Sequence, residues 1–212
     1  ARRDFLEKGY YDFLRIELDK LIKKSDSLID LACGEGYYTN YLMSKFFKAK
    51  GVAIDLSKYA LISANKNKKE LNINNINYYL ASLTKLPFKD NSIDIALNCF
   101  APLDELEFNR VLNKNGIFIR VLPNKDHLYE LKSVLYKEVK LNLEKDNDLI
   151  NFRLLEIKEV SDIIELNNSE INNLFMMTPY YYKSPIEGSN KLKSLNYLKT
   201  RISFKIFVYQ KI

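Results

Sequence analysis

The chain has 212 residues, 47% hydrophobic and 28% charged, a globular balance long enough for one domain with its own core. No apolar run approaches the roughly 20 residues of a membrane helix, no signal peptide is read at the start, and Cys33 and Cys99 lack metal-ligand spacing, so a membrane role, a disulfide framework and a metal site are excluded and a cytoplasmic setting is expected. The net charge of +6 lies wholly in residues 180–212, where Lys183, Lys191, Lys193, Lys199, Arg201, Lys205 and Lys211 face Glu187 alone; this points to an anionic partner, nucleic acid first, with drift in an Asn-rich and Lys-rich composition as the competing reading.

A helix is predicted over 4–24, where Phe5, Leu6, Phe13, Leu14, Leu21 and Ile22 recur near the 3.6-residue period. Strand 27–32 follows. Helix 37–47, strand 51–55, helix 57–69 capped by Ser57, strand 76–81 and strand 92–98 then alternate. That order predicts an α/β chain with a mainly parallel sheet covered on both faces. Past a short helix near 104–112, Asn115-Gly116 leads into a fifth strand, 117–122, closed by Pro123, and then a helix near 127–137. Two long runs, 149–166 and 201–210, flank a helix at 169–177, and the second alternates like a late antiparallel strand.

Between the first strand and its helix stands Asp30-Leu31-Ala32-Cys33-Gly34-Glu35-Gly36. Gly34 and Gly36 let the backbone turn sharply and approach a ligand, with helix N–H groups behind them. A dinucleotide fingerprint would place a third glycine at Thr39 and would not expect Asp30 or Glu35. A charge pair near contact at a partly wet surface is worth on the order of 4 kcal/mol, repulsive toward a pyrophosphate and attractive toward an ammonium or sulfonium group. S-adenosylmethionine carries both of those cations and no phosphate, and is the expected cofactor.

The other strand ends extend the site. Asp55, 19 residues after Gly36, suits the ribose hydroxyls, with a helix-start acid as the alternative. Ser82 and Leu83 offer bonds to an adenine edge. Asn98 ends the fourth strand, and Phe100, with Pro102 stiffening its loop, stands where a methyl acceptor would lie. His127 is the sole histidine; by itself it reads as an exposed or capping residue rather than a catalyst, and no Ser or Cys nucleophile assembles around it. In Met176–Lys183, aromatics beside basic residues suit an unpaired base, with Tyr180 the substrate candidate and core packing the role of at least one neighbour.

Five stretches, Asp30–Thr39, Ala81–Phe88, Phe100–Pro102, His127–Lys132 and Met177–Tyr180, together with the opening Ala1–Leu6, resemble the bacterial large-subunit (23S) ribosomal RNA guanine-N1 methyltransferases, nearly end to end. The resemblance implies a Rossmann-like class I methyltransferase with a seven-stranded sheet and an antiparallel last strand. It implies cofactor contacts at Tyr11, Gly34, Glu35 and His127. Ala32 stands where the family has glycine, under the methionine part of the cofactor, and Asn115 replaces a Gly or Pro. Family members begin with a four-cysteine zinc ribbon, none of which stands in this sequence before Ala1, whether removed or lost by this lineage, so no zinc and a reduced RNA affinity are expected.

The expected organisation is one methyltransferase domain over 1–212: an N-terminal helix (1–24), a cofactor-binding core (27–123) and a substrate-side part (124–212). The expected activity is transfer of a methyl from S-adenosylmethionine to N1 of a guanine in a 23S ribosomal RNA hairpin; a small-molecule methyltransferase and a non-catalytic module binding S-adenosylmethionine or RNA are the alternatives. Ribosomal RNA, and a second copy of the chain as a homodimer, are the expected partners. No residue is singled out as the catalytic base. N1 carries a proton at neutral pH and lies inside a base pair, so the base must be looped or flipped out; proximity alone supplies roughly 7–11 kcal/mol of barrier reduction, against about 1.4 for each unfavourable pKa unit.

Overall fold

Apolar runs bounded by turns build the sheet. The computed structural model describes residues 1–22, 27–46, 48–142 and 148–212. Strands β1 (Ser27–Leu31), β2 (Lys50–Asp55), β3 (Ile76–Leu80), β4 (Ile93–Cys99), β5 (Leu112–Pro123), β6 (Phe152–Asn167) and β7 (Tyr197–Lys211) form one seven-stranded sheet in the order β3-β2-β1-β4-β5-β7-β6, parallel except for its antiparallel last strands. Strand order reverses between β1 and β4, the place where open α/β sheets bind ligands. The register there sets Leu31 beside both Ile54 and Asn98, so the carboxyl ends of β1, β2 and β4 stand level.

The helix expected over 4–24 is two helices, α1 (Arg2–Leu6) and α2 (Asp12–Leu21), because Gly9 takes φ +81°, the left-handed geometry that ends a helix. Residues 23–24 of that expectation, and Phe47 of the next, lie outside the described residues. α3 (Tyr37–Lys45) and α4 (Lys58–Glu70) follow, the second capped by Ser57 Oγ, which accepts from the Ala60 N–H at 3.2 Å. α5 (Glu105–Val111) is capped by Asp104, and β5 starts five residues before Ile117, with a register shift against β4 between Ile93 and Ile95. α6 (Tyr129–Leu135) and α7 (Asn168–Met176) match their expected places; α7 has a capping box in which Asn167 and Glu170 each satisfy the other's backbone N–H. A 3-10 turn (Pro179–Tyr182) and α8 (Ile186–Lys193) were not expected.

The chain packs as two units. One comprises 14–122, 146–158 and 206–212; its core gathers Ile29, Leu31, Ile54, Ala96, Phe108 and Phe118, with Phe118 stacked at 5.8 Å on Tyr209 and tilted at 5.5 Å against Phe152. The other comprises 1–13, 123–145 and 159–205. There Tyr11 meets Phe5 and Phe204 edge-on, at 5.7 and 5.1 Å, and α8 packs against α6 and α7. Among the described residues no helix is long and apolar enough to cross a membrane.

Candidate cofactor site and its setting

The turn after β1 is tied to β2 by its backbone. The Cys33 N–H donates to Ile54 O at 2.9 Å, and the Gly34 N–H donates to Asp55 Oδ2 at 2.8 Å, while Asp55 Oδ1 accepts from the Ser57 N–H at 2.8 Å. Asp55 therefore joins the turn to the start of α4 and keeps further lone pairs on both oxygens. Ala32, Gly34 and Gly36 all take positive φ, at 65°, 56° and 76°. A Cβ on Gly36 would stand 2.6 Å from Tyr78 Oη, itself donating to Asn40 Oδ1 at 2.7 Å, so only glycine fits. A Cβ on Gly34 would meet nothing within 4 Å. Open space above a backbone turn leaves room for a ligand.

Buried polar groups surround this turn. Asp30 lies beneath it and accepts from Thr39 Oγ1 in the first turn of α3. Burial, followed by the Asp30 and Asp55 charges, pushes the Cys33 thiol far above its usual range, which makes it an inert packing group. Fully buried Asn98 donates from Nδ2 to Pro102 O at 3.0 Å, whereas its Oδ1 has no hydrogen-bond partner among the described residues. Phe100 takes φ 60°, held by its N–H to Val121 O at 3.0 Å, with its ring 6.4 Å from Tyr38. Ser82 Oγ accepts from the Thr84 N–H at 3.3 Å, the Ser82 carbonyl accepts from the Lys85 N–H at 3.4 Å, and Leu83 packs on the core. Glu35 is half-buried between the glycines. Sequence reasoning missed Arg15, whose guanidinium stacks over Tyr37 and Tyr41 at 4.3 and 4.8 Å beside the turn; no local motif announces that pair.

The remaining expected residues belong to the other unit. Tyr11 is buried, and burial lifts its phenol above the usual range. His127 is buried against Phe204 at 4.8 Å, and its Nδ1 accepts from the Ser203 N–H at 3.1 Å. That bond leaves the neutral ring its proton on Nε2, as a donor. Burial first, then the Lys132 charge, lowers the His127 pKa to about 3. Of the three tyrosines in the 3-10 turn, Tyr180 reaches toward Asn142, Tyr181 packs on Phe175 at 5.3 Å, and Tyr182 is 84% exposed.

A strand, a glycine turn with room above it, a carboxylate at the end of the next strand and an orphaned acceptor on the strand across the switch point are all in one unit. The family model described as a methyltransferase domain matches residues 22–192. The chain belongs to the methyltransferase-domain family. This methyltransferase is 27% identical, over 97% of its length and 76% of the relative's, to YxjB of Bacillus subtilis, whose name makes it a candidate 23S rRNA (guanine-N(1)-)-methyltransferase. It is 28% identical to the 23S rRNA (guanine(748)-N(1))-methyltransferase of Streptomyces fradiae over 64% of its own length and 49% of that protein. Among solved structures, MccD protein aligns with a TM-score of 0.63 at 20% identity, covering 94% of this chain and 96% of that one. Geranyl diphosphate methyltransferase in complex with SAM aligns with a TM-score of 0.58 at 14% identity, covering 98% and 86%. The domain and its fold imply S-adenosylmethionine as the cofactor and methyl transfer from it as the activity.

Proposed function

We propose that this methyltransferase acts on N1 of a guanine in a 23S ribosomal RNA hairpin. The observation that carries the reading is the similarity to YxjB over 97% of the chain, which takes in the stretch after residue 123 as well as the glycine turn. Charge supports it. Lys199, Arg201 and Lys205 are engaged with Glu165, Asp126 and Glu159 at 3.0, 3.6 and 3.3 Å, and Lys211 donates to backbone carbonyls. Lys183, Lys191 and Lys193 remain, exposed and without an ion-pair partner among the described residues, as the cations offered to an RNA backbone.

The residues present fit the cofactor. S-adenosylmethionine supplies a methyl group made electrophilic by its sulfonium. The space above Gly34 admits the adenosine, and Asp55 offers its remaining lone pairs to ribose hydroxyls. Asn98 Oδ1 takes the ammonium, satisfying an acceptor that is otherwise costly to bury. Glu35 adds negative charge at the turn, with Asp30 and Gly36 shaping it, while Ala32, Ser82 and Leu83 line it through the backbone. Tyr11 and His127 enter through the family resemblance, His127 as an Nε2–H donor. On the substrate side, the flipped base is assigned to Tyr180 in its unit, and Phe100 in the other unit enters through its place after the fourth strand.

Incubating the full chain with labelled S-adenosylmethionine and 23S ribosomal RNA from cells lacking the gene, then mapping the label by mass spectrometry, tests the reading. N1-methylguanine in a single hairpin is expected. Methyl transfer to no RNA, or to another atom, overturns it.

A further inference from the structure

Lys132 projects from α6 and is only 2% exposed. Among the described residues its amino group makes one hydrogen bond, to Asn142 Oδ1, and that bond is long at 3.4 Å. The Tyr180 hydroxyl turns to the same oxygen at 3.5 Å. Asn142 cannot lean toward either donor, because its own N–H donates to Lys125 O at 3.0 Å and its Nδ2 to Asn124 O at 2.7 Å. Two strong donors, one of them almost fully buried, thus converge on a single acceptor that satisfies neither well. A buried donor left short of partners is costly, and a ligand oxygen would recover that cost. The wall beside them is aromatic: Tyr136 meets Tyr180 edge-on at 6.4 Å and is fixed by its hydroxyl against Ser184 Oγ at 2.7 Å.

We propose that Lys132 and Tyr180 form a guanine-reading pocket, their N–H and O–H groups taking the O6 and N7 acceptors of the base. Guanine shows two adjacent acceptors on that edge, whereas adenine shows an acceptor and a donor, so a pair of converging donors selects guanine. Contact on the O6/N7 edge leaves N1 open on the neighbouring edge. A donor on O6 also stabilises the negative charge that spreads there as N1 gives up its proton to solvent and forms its bond to the methyl carbon, the sulfonium S–C bond breaking with its electron pair to leave S-adenosylhomocysteine. Burial lowers the Lys132 pKa, with Asp126 opposing; charged or neutral, the amine keeps at least two N–H donors. The inference rests on guanine being the methyl acceptor.

The test uses the full chain and RNA hairpin transcripts in which guanine is replaced by 7-deazaguanine, lacking the N7 acceptor, or by hypoxanthine, which keeps both O6 and N7. Wild-type kcat/KM should fall roughly 5- to 150-fold on the 7-deaza RNA and change little on the hypoxanthine RNA. Lys132→Met, similar in volume, and Tyr180→Phe, which removes only a hydroxyl, should each lose activity on guanine RNA and no longer distinguish 7-deazaguanine, while affinity for S-adenosylhomocysteine holds. Tyr180→Phe carries the test alone if Lys132→Met does not fold. Equal use of both RNAs by the wild type overturns the inference, as do variants that keep the discrimination or that lose affinity for every RNA alike with a changed salt slope, the mark of a phosphate contact. A wild type that methylates no RNA guanine removes the proposed function and this inference with it, an outcome distinct from an active wild type with indifferent variants.

Discussion

Ala32 follows the last residue of β1 with φ 65°, and its Cβ makes that conformation cost about 1–2 kcal/mol that glycine would not incur. Allowing for the greater freedom of an unfolded glycine, Ala32→Gly should raise stability by about 0.5–1 kcal/mol, read as a shifted urea midpoint with unchanged slope. An unchanged midpoint would mean that the turn is not strained at this residue. Asp55 is a different case, because removing its carboxylate also frees the N–H groups of Gly34 and Ser57. Asp55→Asn keeps one acceptor and the shape, and should weaken S-adenosylmethionine by about 1.5–3 kcal/mol in calorimetry, the scale of hydrogen bonds to a charged group. Equal affinity in the folded variant would reduce Asp55 to a turn-holding acid. His127, with its pKa lowered to about 3 against an ordinary value near 6.5, stays neutral in the fold while the unfolded chain takes up a proton. Its contribution is complete above the unfolded pKa and is lost as pH falls from about 6.5 toward 3, by at most about 1.4 kcal/mol per unit. His127→Gln should flatten the wild-type dependence of unfolding free energy in that window, and parallel curves for the two proteins would count against a buried neutral ring.

At the level of elements, α8 lies so close to α6 that a Cβ on Gly188 would stand 2.1 Å from Leu135 O. A backbone oxygen cannot swing aside, so Gly188→Ala should destabilise the chain by about 1–3 kcal/mol, the range for overpacking, and lower the thermal midpoint; a wild-type midpoint would show that the two helices can separate at no cost. The first four strands were legible because each is a short apolar run between turns, and Ser57 marked its helix. α8 was not, since Ile186-Glu187-Gly188-Ser189-Asn190-Lys191-Leu192-Lys193 offers two large apolar residues around a glycine whose packing reason lies in another helix. Gly9 was readable and was overridden by a helical period on either side of it. In the candidate site, Gly34, Gly36, Asp55 and Asn98 were legible as residues at strand ends, and the register sets those ends level. The bond that sets the His127 tautomer joins residues 76 apart, and the Lys132–Asn142–Tyr180 convergence depends on a loop returning to a helix; neither leaves a local pattern.

For the molecule as a whole, the positive charge concentrated after residue 179 is largely spent on carboxylates and carbonyls of the chain itself. Reversing charge at Lys183, Lys191 or Lys193 should therefore flatten the salt dependence of RNA hairpin binding by about 0.7–0.9 in slope per lost contact, whereas Lys199→Glu should not; a filter-binding series across salt concentrations decides it, and indistinguishable slopes would leave these lysines outside the RNA footprint. The sheet ends on β6, sixteen residues with Leu154, Leu155, Ile157 and Ile163 all exposed. An edge of that length offers a row of backbone donors and acceptors to any passing strand. Charged side chains are set along it, and several are already paired: Lys158 with Glu17 at 2.5 Å, Glu159 with Lys205 at 3.3 Å and Glu165 with Lys199 at 3.0 Å. Charge along an exposed edge of this kind works against strand-to-strand pairing between copies, a task these side chains carry besides their ion pairs.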